Sequence, residues 1–432
     1  MKRKGGGRLL VKRISVAIIT SNYWPEKTGI GQVTTEFAEY LTSNGVHVLV
    51  ATALPYYPEW RIHEEYRRQL WETEEHEGVV IHRAAHYAAP NPTTLGRIWH
   101  ELTLCALSLP NMVRVVRASS VCFIVSPDLS HAFVGCLVSR ALRVPIILIV
   151  QDVMPDAAVA MGMLSNRLAI GISRWLANKI YSYAGRILTL SDGMKARIGG
   201  DPTLQGKISI VPNTVDRNEL RHAPNLGMPF REKFVPSGTT SVVHTGNMGE
   251  KQDLFLLLRA ARGLREDSAI HFYVFGDGAV KESFLRLRDL WSLKNVSHFP
   301  LQERAFLPHM LYGADVCLVC QAPQVIDVVV PSKLVSAMGI GAMIIAACPT
   351  DSETAKVLRA SGGGLIVPPS DEKALVGAIQ DVALGRIDVR QHRRSVREYA
   401  LRYFSREAAY GPVVSELNRK LHTGRQEKGQ NP

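Results

Sequence analysis

Residues 325–346 read VIDVVVPSKLVSAMGIGAMIIA, and they place a polar hinge between two apolar segments. The first apolar run ends at Pro331, which lacks the backbone donor that a central strand needs. Ser332 is a residue type that caps helices, and a helical pattern follows it before the second apolar run begins. The stretch therefore predicts a strand-to-helix corner, with the cation Lys333 at the start of the helix and Asp327 at the end of the strand.

Apolar runs of this kind alternate with helical patterns along both halves of the chain. Strands so apolar must be covered on both faces, which indicates parallel sheets with crossover helices. Ligands of such sheets bind outside the carboxyl ends of the strands, so the residues directly after each strand are the candidates for a site. The predicted strands are Ile14–Thr20, Val46–Thr52, Val79–Arg83, Val121–Ser126, Ile146–Val150, Arg186–Leu190, Ile208–Val211, Ser241–Thr245, Ile270–Phe275, Val296–Phe299, Val316–Val319, Met343–Ala347 and Gly364–Val367.

The length of the chain predicts two domains, because 432 residues exceed one ordinary core. Residues 221–240 are rich in Pro, Gly and charge and are predicted to be a linker. The division is a basic disordered tail at 1–13, domains at 14–220 and 241–395, a helix at 396–420 that packs back on the first domain, and a tail at 421–432. The predicted fold class is α/β, with two Rossmann-like doubly wound domains that face a cleft.

The formal net charge of +12 predicts an acidic partner. Part of this excess lies in residues 1–13, which are either a solvated arm or a segment attracted to anionic lipid or phosphate. After ISVAIIT, residues 14–20, the chain becomes polar too soon for a secretory signal, so a cytoplasmic protein is expected. The most apolar helical candidate, Ile98–Val116, is interrupted too often to span a membrane. It is predicted to be buried or to face a partner, and surface association stays open.

Six cysteines lie in apolar surroundings, and Cys317 and Cys320 form a Cys-x-x-Cys inside a strand pattern. Without a second pair or a nearby histidine cluster, buried reduced thiols are favoured over zinc or redox chemistry. The sequence contains no Asp-x-Asp, no Gly-x-x-x-x-Gly-Lys-Ser/Thr and no Gly-x-Ser-x-Gly. These absences disfavour metal-dependent sugar transfer, nucleotide hydrolysis by a P-loop and serine hydrolysis, and no metal or cofactor is predicted.

Three segments of the first half place polar or small residues after strands. Gly29 and Gly31 open an amphipathic helix, where backbone amides can approach an anion or simply form a turn. Asp152, after Gln151, could orient or deprotonate an acceptor hydroxyl, or cap the next segment. Asn213 follows the last strand of this half, where it can set a turn and shape a cleft.

The second half repeats the pattern with cations. Gly246, Asn247 and Gly249 are followed by Lys251 at a predicted helix start, and glycine-backed amides beside an ammonium suit a diphosphate. Gly276-Asp277-Gly278 follows the next strand, where the backbone could approach a nucleoside or form a tight turn. Ser332 and Lys333 complete the set, with Asp327 within reach of the hydroxyls of a neutral ligand.

Several motifs in order carry a resemblance to a known family: PEKTGIGQVTTEFAEYL, QDVMPD, LTLSDGMKARI, ISIVPNTVD, HTGNMGEKQDL, FGDG and VPSKLVSAMGIGAMIIA. Together they resemble the family-four retaining glycosyltransferases of GT-B fold, over residues 14–404. PYYPEW, GNMGEKQ and VVPSKL are similar to the colanic-acid type transferases of bacterial exopolysaccharide synthesis.

The resemblance implies a nucleotide sugar held mainly by the second domain and an acceptor held by the first. It implies that Gly29 and Gly31 lie by the donor phosphates and that Gly246, Asn247 and Lys251 contact the diphosphate. It further places Gly276 and Asp277 near the base, and Asp327, Ser332 and Lys333 near the donor sugar and phosphates. Val328 and Ser336 stand where many relatives carry two glutamates, the second of which binds the ribose. Gln151-Asp152 stands where relatives often have His-Asp, and Asp253 stands where they often have Gly.

The predicted function is a retaining hexosyl or deoxyhexosyl transfer from a UDP- or GDP-sugar to a lipid-linked glycan in surface polysaccharide assembly. The enzyme is expected to lie on the inner face of the plasma membrane. Lys251, Asp327, Lys333 and Asp152 are the predicted catalytic residues, with stabilisation of the leaving diphosphate as the main contribution. A nucleotide-sugar epimerase and a non-catalytic nucleotide-sugar-binding scaffold are the alternatives. A nucleic-acid partner is disfavoured because no recognition module is present.

Overall fold

The computed structural model describes residues 14–26, 29–90, 92–156, 159, 164–215, 225–323 and 330–428, with side chains as far as Arg419. The predicted basic tail at 1–13 and Asp327 lie outside the described residues. The chain divides into two compact units. The first comprises residues 1–190, 194–211 and 410–432, and the second comprises residues 191–193 and 212–409.

The first unit is built on eight strands, and a helix connects most of the consecutive strands. The strands are β1 (Ser15–Ile19), β2 (His47–Ala53), β3 (Trp71–His76), β4 (Val79–Ala84), β5 (Val121–Ser126), β6 (Ile146–Val150), β7 (Arg186–Thr189) and β8 (Ile208–Ile210). The helices are α1 (Gly29–Ser43), α2 (Thr94–Arg117), α3 (Leu129–Ala141), α4 (Arg167–Tyr183), α5 (Asp192–Ile198) and α6 (Pro202–Gln205).

The sheet of the first unit has the order β3-β4-β2-β1-β5-β6-β7-β8. All neighbouring pairs are parallel except β3 with β4. The central strands are buried along nearly their whole length, as their uninterrupted apolar sequences predict. The parallel α/β architecture predicted from the apolar runs is therefore confirmed for this unit.

Strand β3 was not predicted, because its sequence WETEEH is polar. It forms an antiparallel hairpin with β4, and its side chains alternate between exposed and partly buried positions. Arg83 of β4 is fully buried, and its guanidinium bonds Glu74 of β3 and the backbone oxygens of Trp24 and Ala53. The ion pair therefore joins the edge strand to the rest of the sheet.

The second unit is built on six strands and a second set of helices. The strands are β9 (Thr240–Asn247), β10 (Ile270–Asp277), β11 (Val296–Phe299), β12 (Val316–Cys320), β13 (Ile344–Ala347) and β14 (Leu365–Val367). The helices that begin in this unit are α7 (Met228–Phe234), α8 (Leu254–Gly263), α9 (Lys281–Leu290), α10 (Leu307–Gly313), α11 (Ser332–Ile340), α12 (Glu353–Ser361), α13 (Glu372–Ala383), α14 (Val389–Tyr403) and α15 (Arg406–Lys428).

The second sheet is parallel throughout, in the order β11-β10-β9-β12-β13-β14. Apolar clusters cover both of its faces: one contains Phe230, Phe275 and Leu334, and the other contains Leu257 and Phe272. The predicted strand Ser241–Thr245 is longer in the structure, where β9 continues to Asn247. Its neighbour β10 likewise continues past the predicted end at Phe275, to Asp277. The two strands therefore include Gly246 and Gly276.

Two predicted segment boundaries differ from the structure. The segment 221–240, predicted as a linker, contains α7, whose Phe230 is fully buried in the core of the second unit. The helix predicted at 396–420 is two helices, because the Phe404 carbonyl accepts from the Val215 amide and Ser405 forms a bridge with Val215. Ser405 Oγ then accepts from the Ala408 amide at the start of α15.

The carboxyl-terminal residues of α15 belong to the first unit. From Tyr410 onward the chain lies in that unit, and the Tyr410 ring contacts Phe37 of α1 at a centroid distance of 5.1 Å. Glu416 pairs with Arg186 of β7. The helical backbone continues to Lys428, through most of the segment predicted as a tail at 421–432.

All six cysteines are free; five are buried and Cys105 is partly buried. Within the described ranges, no helix combines the length and the apolar character that crossing a bilayer requires. The same ranges contain no group of three or more His, Cys, Asp or Glu side chains suited to a metal ion.

Candidate functional site

The carboxyl ends of β9 and β10 meet in register, with Gly246 opposite Gly276 and Asn247 opposite Asp277. A Cβ atom on Gly276 would overlap the carbonyl oxygen of Gly246, so only glycine fits there. Gly246 has a φ of +110°, in the region that favours glycine. The edge of the second sheet is therefore lined by bare backbone, which a ligand can approach closely.

Lys333 lies over this glycine edge. A Cβ atom on Gly246 would lie 2.9 Å from Lys333 Cε. The ammonium donates to Gln252 Oε1 at 2.6 Å and to the Asn247 carbonyl at 3.2 Å, and His244 Nε2 lies at 3.5 Å. Strand β9 and the turn that follows it thus hold one cation beside the end of the strand.

The surroundings of Lys333 change the titration of two groups. Burial lowers the pKa of Lys333 from 10.5 to about 8. Burial, with the charge of Lys333, holds the pKa of His244 well below its usual value, so the imidazole is neutral. Because Leu318 O can only accept, His244 Nδ1 carries the proton in its 3.3 Å contact with that oxygen, and Nε2 is left to accept from Lys333. The site therefore holds one titratable cation supported by neutral partners.

The loop after β9 corrects the expected position of Lys251. Glu250–Gln252 form a 3-10 turn, and α8 begins only at Leu254, so Lys251 precedes the helix instead of starting it. Asp253 separates the turn from the helix, because its φ of +37° lies in the left-handed region that favours glycine. Lys251 is exposed, and its backbone oxygen accepts from the Ala322 amide after β12.

Helix α11 corrects the predicted role of Ser332. The helix begins at Ser332 itself, with Pro331 as the N-cap residue and no side-chain cap. The reason is that Ser332 already has the helical backbone conformation, in which a side chain does not serve as the cap. Ser336 lies one turn further along and is partly buried, and Asn213 Nδ2 donates to Val330 O just before the helix, at 3.4 Å.

Asp277 lies at the end of β10 and is exposed. Its carboxylate accepts from Lys281 Nζ at 2.7 Å and from the Gly278 amide at 2.8 Å. The hydrogen bond from Lys281 is the main reason that the pKa of Asp277 is lowered. His298 Nε2 lies 3.0 Å from the Gly276 carbonyl, beside the same turn.

The first unit has its own polar edge, which begins at Gly29 and Gly31. Gly29 has a φ of +60°, and a Cβ atom on Gly31 would lie 3.1 Å from Glu26 Cβ. Glu26 is buried and accepts from the Tyr56 and Tyr57 amides, both at 2.9 Å, and from Asn22. Burial raises the pKa of Glu26 despite these bonds. A carboxyl group therefore lies directly beside the helix start where the resemblance implies donor phosphates.

A further polar cluster follows the carboxyl ends of β1, β4 and β5. Ser21 Oγ donates to Asp128, and Glu101 lies close enough to Asp128 that burial and this neighbouring charge raise its pKa to about 8. Burial lowers the pKa of both His86 and His131 to about 3. The cluster thus places a protonated Glu101 carboxyl group and neutral histidines around Asp128.

Aromatic rings border this cluster. The Tyr56 ring contacts His86 at 4.6 Å and His100 at 5.0 Å, and Trp60 lies 5.2 Å from His100. These rings come from the PYYPEW loop and from α2. Neutral hydrogen-bonding groups beside aromatic faces suit a hydroxyl-rich ligand. Asp152, by contrast, is exposed after β6 in this unit.

The structure thus brings together five predicted residues of the second unit: Gly246, Asn247, Gly276, Asp277 and Lys333. Sequence reasoning missed His244 and Gln252, although both lie inside the quoted HTGNMGEKQDL motif. It also missed the Glu101, Asp128 and histidine cluster, whose members come from segments far apart in the chain. Asp327 lies outside the described residues, so its predicted role stays a prediction.

Comparison with known proteins places this arrangement in a family. The model of the glycosyl transferase 4-like domain matches residues 28–214, and that of the glycosyl transferases group 1 matches residues 239–383. The chain belongs to the glycosyltransferases. The group 1 match contains the glycine edge, Lys333 and His244, so the site of the second unit lies within a glycosyltransferase domain.

Individual relatives agree with this glycosyltransferase assignment. The chain is 27% identical over 416 residues to WcaI of Escherichia coli (strain K12), named as a candidate colanic acid biosynthesis glycosyl transferase, covering 94% of this chain and 100% of the relative. Its fold is similar to that of sucrose-phosphate synthase from Thermosynechococcus elongatus, with a TM-score of 0.68, 16% identity and coverage of 95% and 100%. HepE of Anabaena, solved with UDP and glucose, has a TM-score of 0.64, 14% identity and coverage of 96% and 100%. The predicted GT-B fold class is confirmed.

Proposed function

We propose that this glycosyltransferase moves a hexosyl or deoxyhexosyl group from a UDP- or GDP-sugar to a lipid-linked glycan in exopolysaccharide biosynthesis, with retention at the anomeric carbon. The observation that carries the donor half is Lys333 held over the Gly246–Gly276 edge. Its ammonium and the bare backbone suit a diphosphate, whose charge grows as the sugar leaves. The name of WcaI and the UDP-bound structure of HepE support the pathway and the donor class.

The acceptor half is assigned to the polar edge of the first unit. Its neutral histidines, the Glu101 carboxyl group and the rings of Tyr56 and Trp60 suit sugar hydroxyls and sugar faces. Asp128 and Asp152 are the carboxylates of the first unit proposed to orient an acceptor hydroxyl. No metal or further cofactor is proposed.

The first test is donor binding. A thermal-shift screen across UDP- and GDP-sugars should identify one donor that stabilises the protein, by about 2.7 kcal/mol at one hundred times its Kd. Transfer to lipid-linked acceptors from a membrane extract is then measured with that donor, and the anomeric configuration of the product is read by NMR. A flat thermal profile with every donor, or epimerised sugar formed from donor alone, would contradict the proposal.

The phosphate roles are tested by Lys333→Ala and Lys251→Ala. Both variants should lower kcat/KM by more than about threefold, a difference of roughly 0.65 kcal/mol. Lys373→Ala is the matched control, because Lys373 is an exposed lysine of α13 in the same unit. A kcat/KM equal to that of the parent in either variant would contradict the proposed phosphate role of that lysine.

A further inference from the structure

Helices α2, α3 and α4 form one layer on the first sheet. They connect β4 to β5, β5 to β6 and β6 to β7, all in the same direction along the sheet. Right-handed crossovers place such helices on the same face, with α1 on the other face because it runs the opposite way, from β1 to β2. Since α2 packs on α3 and α3 packs on α4, the outer side of the layer is one continuous surface.

The outer side of this layer is apolar where a surface helix is normally polar. Leu168 is 74% exposed, Leu95 71% and Trp99 60%. The exposed residues of α2 recur at helical spacing, so they form one stripe, and α3 and α4 continue the surface. The full set is Leu95, Ile98, Trp99, Leu102 and Leu109 on α2, Leu137 on α3, and Leu168, Ile172 and Trp175 on α4.

The stripe is not the side by which α2 packs on the sheet. That side is formed by fully buried residues, among them Leu104, Met112 and Val115. Helix α2 therefore has two apolar sides, which is why Ile98–Val116 is the most apolar helical segment of the sequence. Trp71 of β3, half exposed, donates its indole N–H to the Leu107 carbonyl and adds an aromatic ring beside the helix.

The charge of the layer is almost entirely positive. The three helices contain seven Arg and Lys residues and a single acid, Glu101, which belongs to the inner polar cluster. Arg174 pairs with Asp156 from outside these helices, at 3.4 Å. Exposed cations beside exposed Trp and Leu are complementary to a surface with an apolar interior and anionic phosphates. The cations are Arg97, Arg114, Arg117, Arg140, Arg167, Arg174 and Lys179.

We propose that the outer face of α2, α3 and α4 docks this enzyme on an anionic lipid bilayer, with Trp99 and Trp175 entering the headgroup region and the arginines contacting lipid phosphates. This docking rests on the proposed function, because it would bring the enzyme to a lipid-linked acceptor that lies in such a bilayer. The binding itself depends only on the face and is measured without any substrate. The attraction between a polybasic surface and anionic lipid weakens as salt screens it.

The test is co-sedimentation with vesicles of phosphatidylglycerol and phosphatidylcholine in equal parts, compared with phosphatidylcholine alone. The parent should partition to the anionic vesicles and less so at high salt. Trp99→Glu with Trp175→Glu should lower this partition by about tenfold or more, because each change removes an interfacial ring and adds a repelled charge. Leu290→Glu is the matched control, since Leu290 is 77% exposed on α9 of the second unit, and it should partition like the parent.

Several outcomes would overturn the docking proposal. They are a parent that ignores anionic vesicles, a double variant that partitions like the parent, and a parent dimer that the double variant converts to a monomer, which would make the face an interface between copies. The donor thermal shift of the double variant, measured without vesicles, separates the two proposals. A retained shift with lost partition supports docking, whereas the absence of a shift in the parent contradicts the proposed function alone.

Discussion

The ammonium of Lys333 lies 2.6 Å from Gln252 Oε1, and it joins the start of α11 to the loop after β9. The two residues are far apart in the sequence, and each lies in a motif of its own. Gln252, the Asn247 carbonyl and the neutral His244 position the cation over the glycine edge. Because these partners carry no charge, they hold the ammonium without neutralising it.

The lowered pKa of Lys333 predicts a pH dependence of donor binding. In the free protein the ammonium is present below about pH 8 and is lost above it, while the bound diphosphate needs the charged form. The donor Kd should therefore rise about tenfold between pH 7 and pH 9. Calorimetric titration measures this, and Lys333→Arg, whose charge persists throughout, corrects for titration of the donor. Equal pH slopes in parent and variant would contradict the assignment.

The same pKa has a consequence for the unliganded protein. Between about pH 8 and 10.5 the unfolded chain holds the Lys333 proton more tightly than the folded chain does. Without donor, the contribution of Lys333 to the free energy of unfolding should therefore increase as pH rises through this window. Comparing denaturant unfolding of the parent with that of Lys333→Met isolates it; a constant difference between the two would count against the lowered pKa.

Gln252→Leu should weaken donor binding while the protein stays folded. The variant removes the 2.6 Å partner that positions the ammonium, and a hydrogen bond to a charged group is worth about 1.5–3 kcal/mol. A rise in donor Kd of about fivefold is expected, because the Asn247 carbonyl still holds the lysine. Gln380→Leu, on the exposed side of α13, is the matched control. An unchanged Kd in Gln252→Leu would show that Gln252 does not position the cation.

Gly276→Ala should destabilise the second unit and reduce donor binding together. Its Cβ atom would overlap the Gly246 carbonyl, and relieving such overpacking costs about 1–3 kcal/mol. Gly377→Ala provides a contrast in the same unit, because a Cβ atom there meets nothing within 4 Å in the interior of α13. That variant should gain about 0.5–1 kcal/mol. Similar unfolding free energies for both variants would contradict the close approach of the two strands.

Glu101→Gln should stabilise the first unit in a pH-dependent way. The unfolded carboxyl ionises near pH 4.5, whereas the folded one keeps its proton to about pH 8, so the parent loses stability across this range. The variant should equal the parent near pH 4 and exceed it by about 1 kcal/mol or more at pH 8. Glu398→Gln, exposed on α14, is the matched control. Chemical denaturation at several pH values measures both differences.

The apolar strands could be predicted from the sequence because burial on both faces requires uninterrupted apolar residues. Strand β3 could not, because its hydrogen bonds to β4 and the buried Arg83–Glu74 pair support a polar sequence. The start of α8 was misplaced for a local reason: Asp253 adopts a left-handed conformation that its residue type only weakly indicates. Strand β3 and the start of α8 are therefore determined by tertiary contacts and backbone conformation, which the local sequence pattern does not show.

The candidate site divides in the same way. Glycines and Lys333 carry local signals, since glycine marks a turn or a close backbone approach and a lysine at a helix start opposes the helix dipole. His244 carries no such signal, because it lies inside β9 and becomes part of the site only through its position beside Lys333. The Glu101 and Asp128 cluster likewise depends on α2 returning to the sheet edge, which periodicity alone does not specify.

The polar strand β3 has a consequence for the behaviour of the chain in a crowded solution. The edge of an open sheet offers unpaired backbone groups to any second strand, and this is a common route to aggregation. Here one edge of the first sheet is closed by a strand with three glutamates, and the other edge, β8, is only three residues long. Both edges therefore resist the addition of a strand from a second molecule. The apolar layer of α2, α3 and α4 is then the surface that must be covered to keep the enzyme from aggregating.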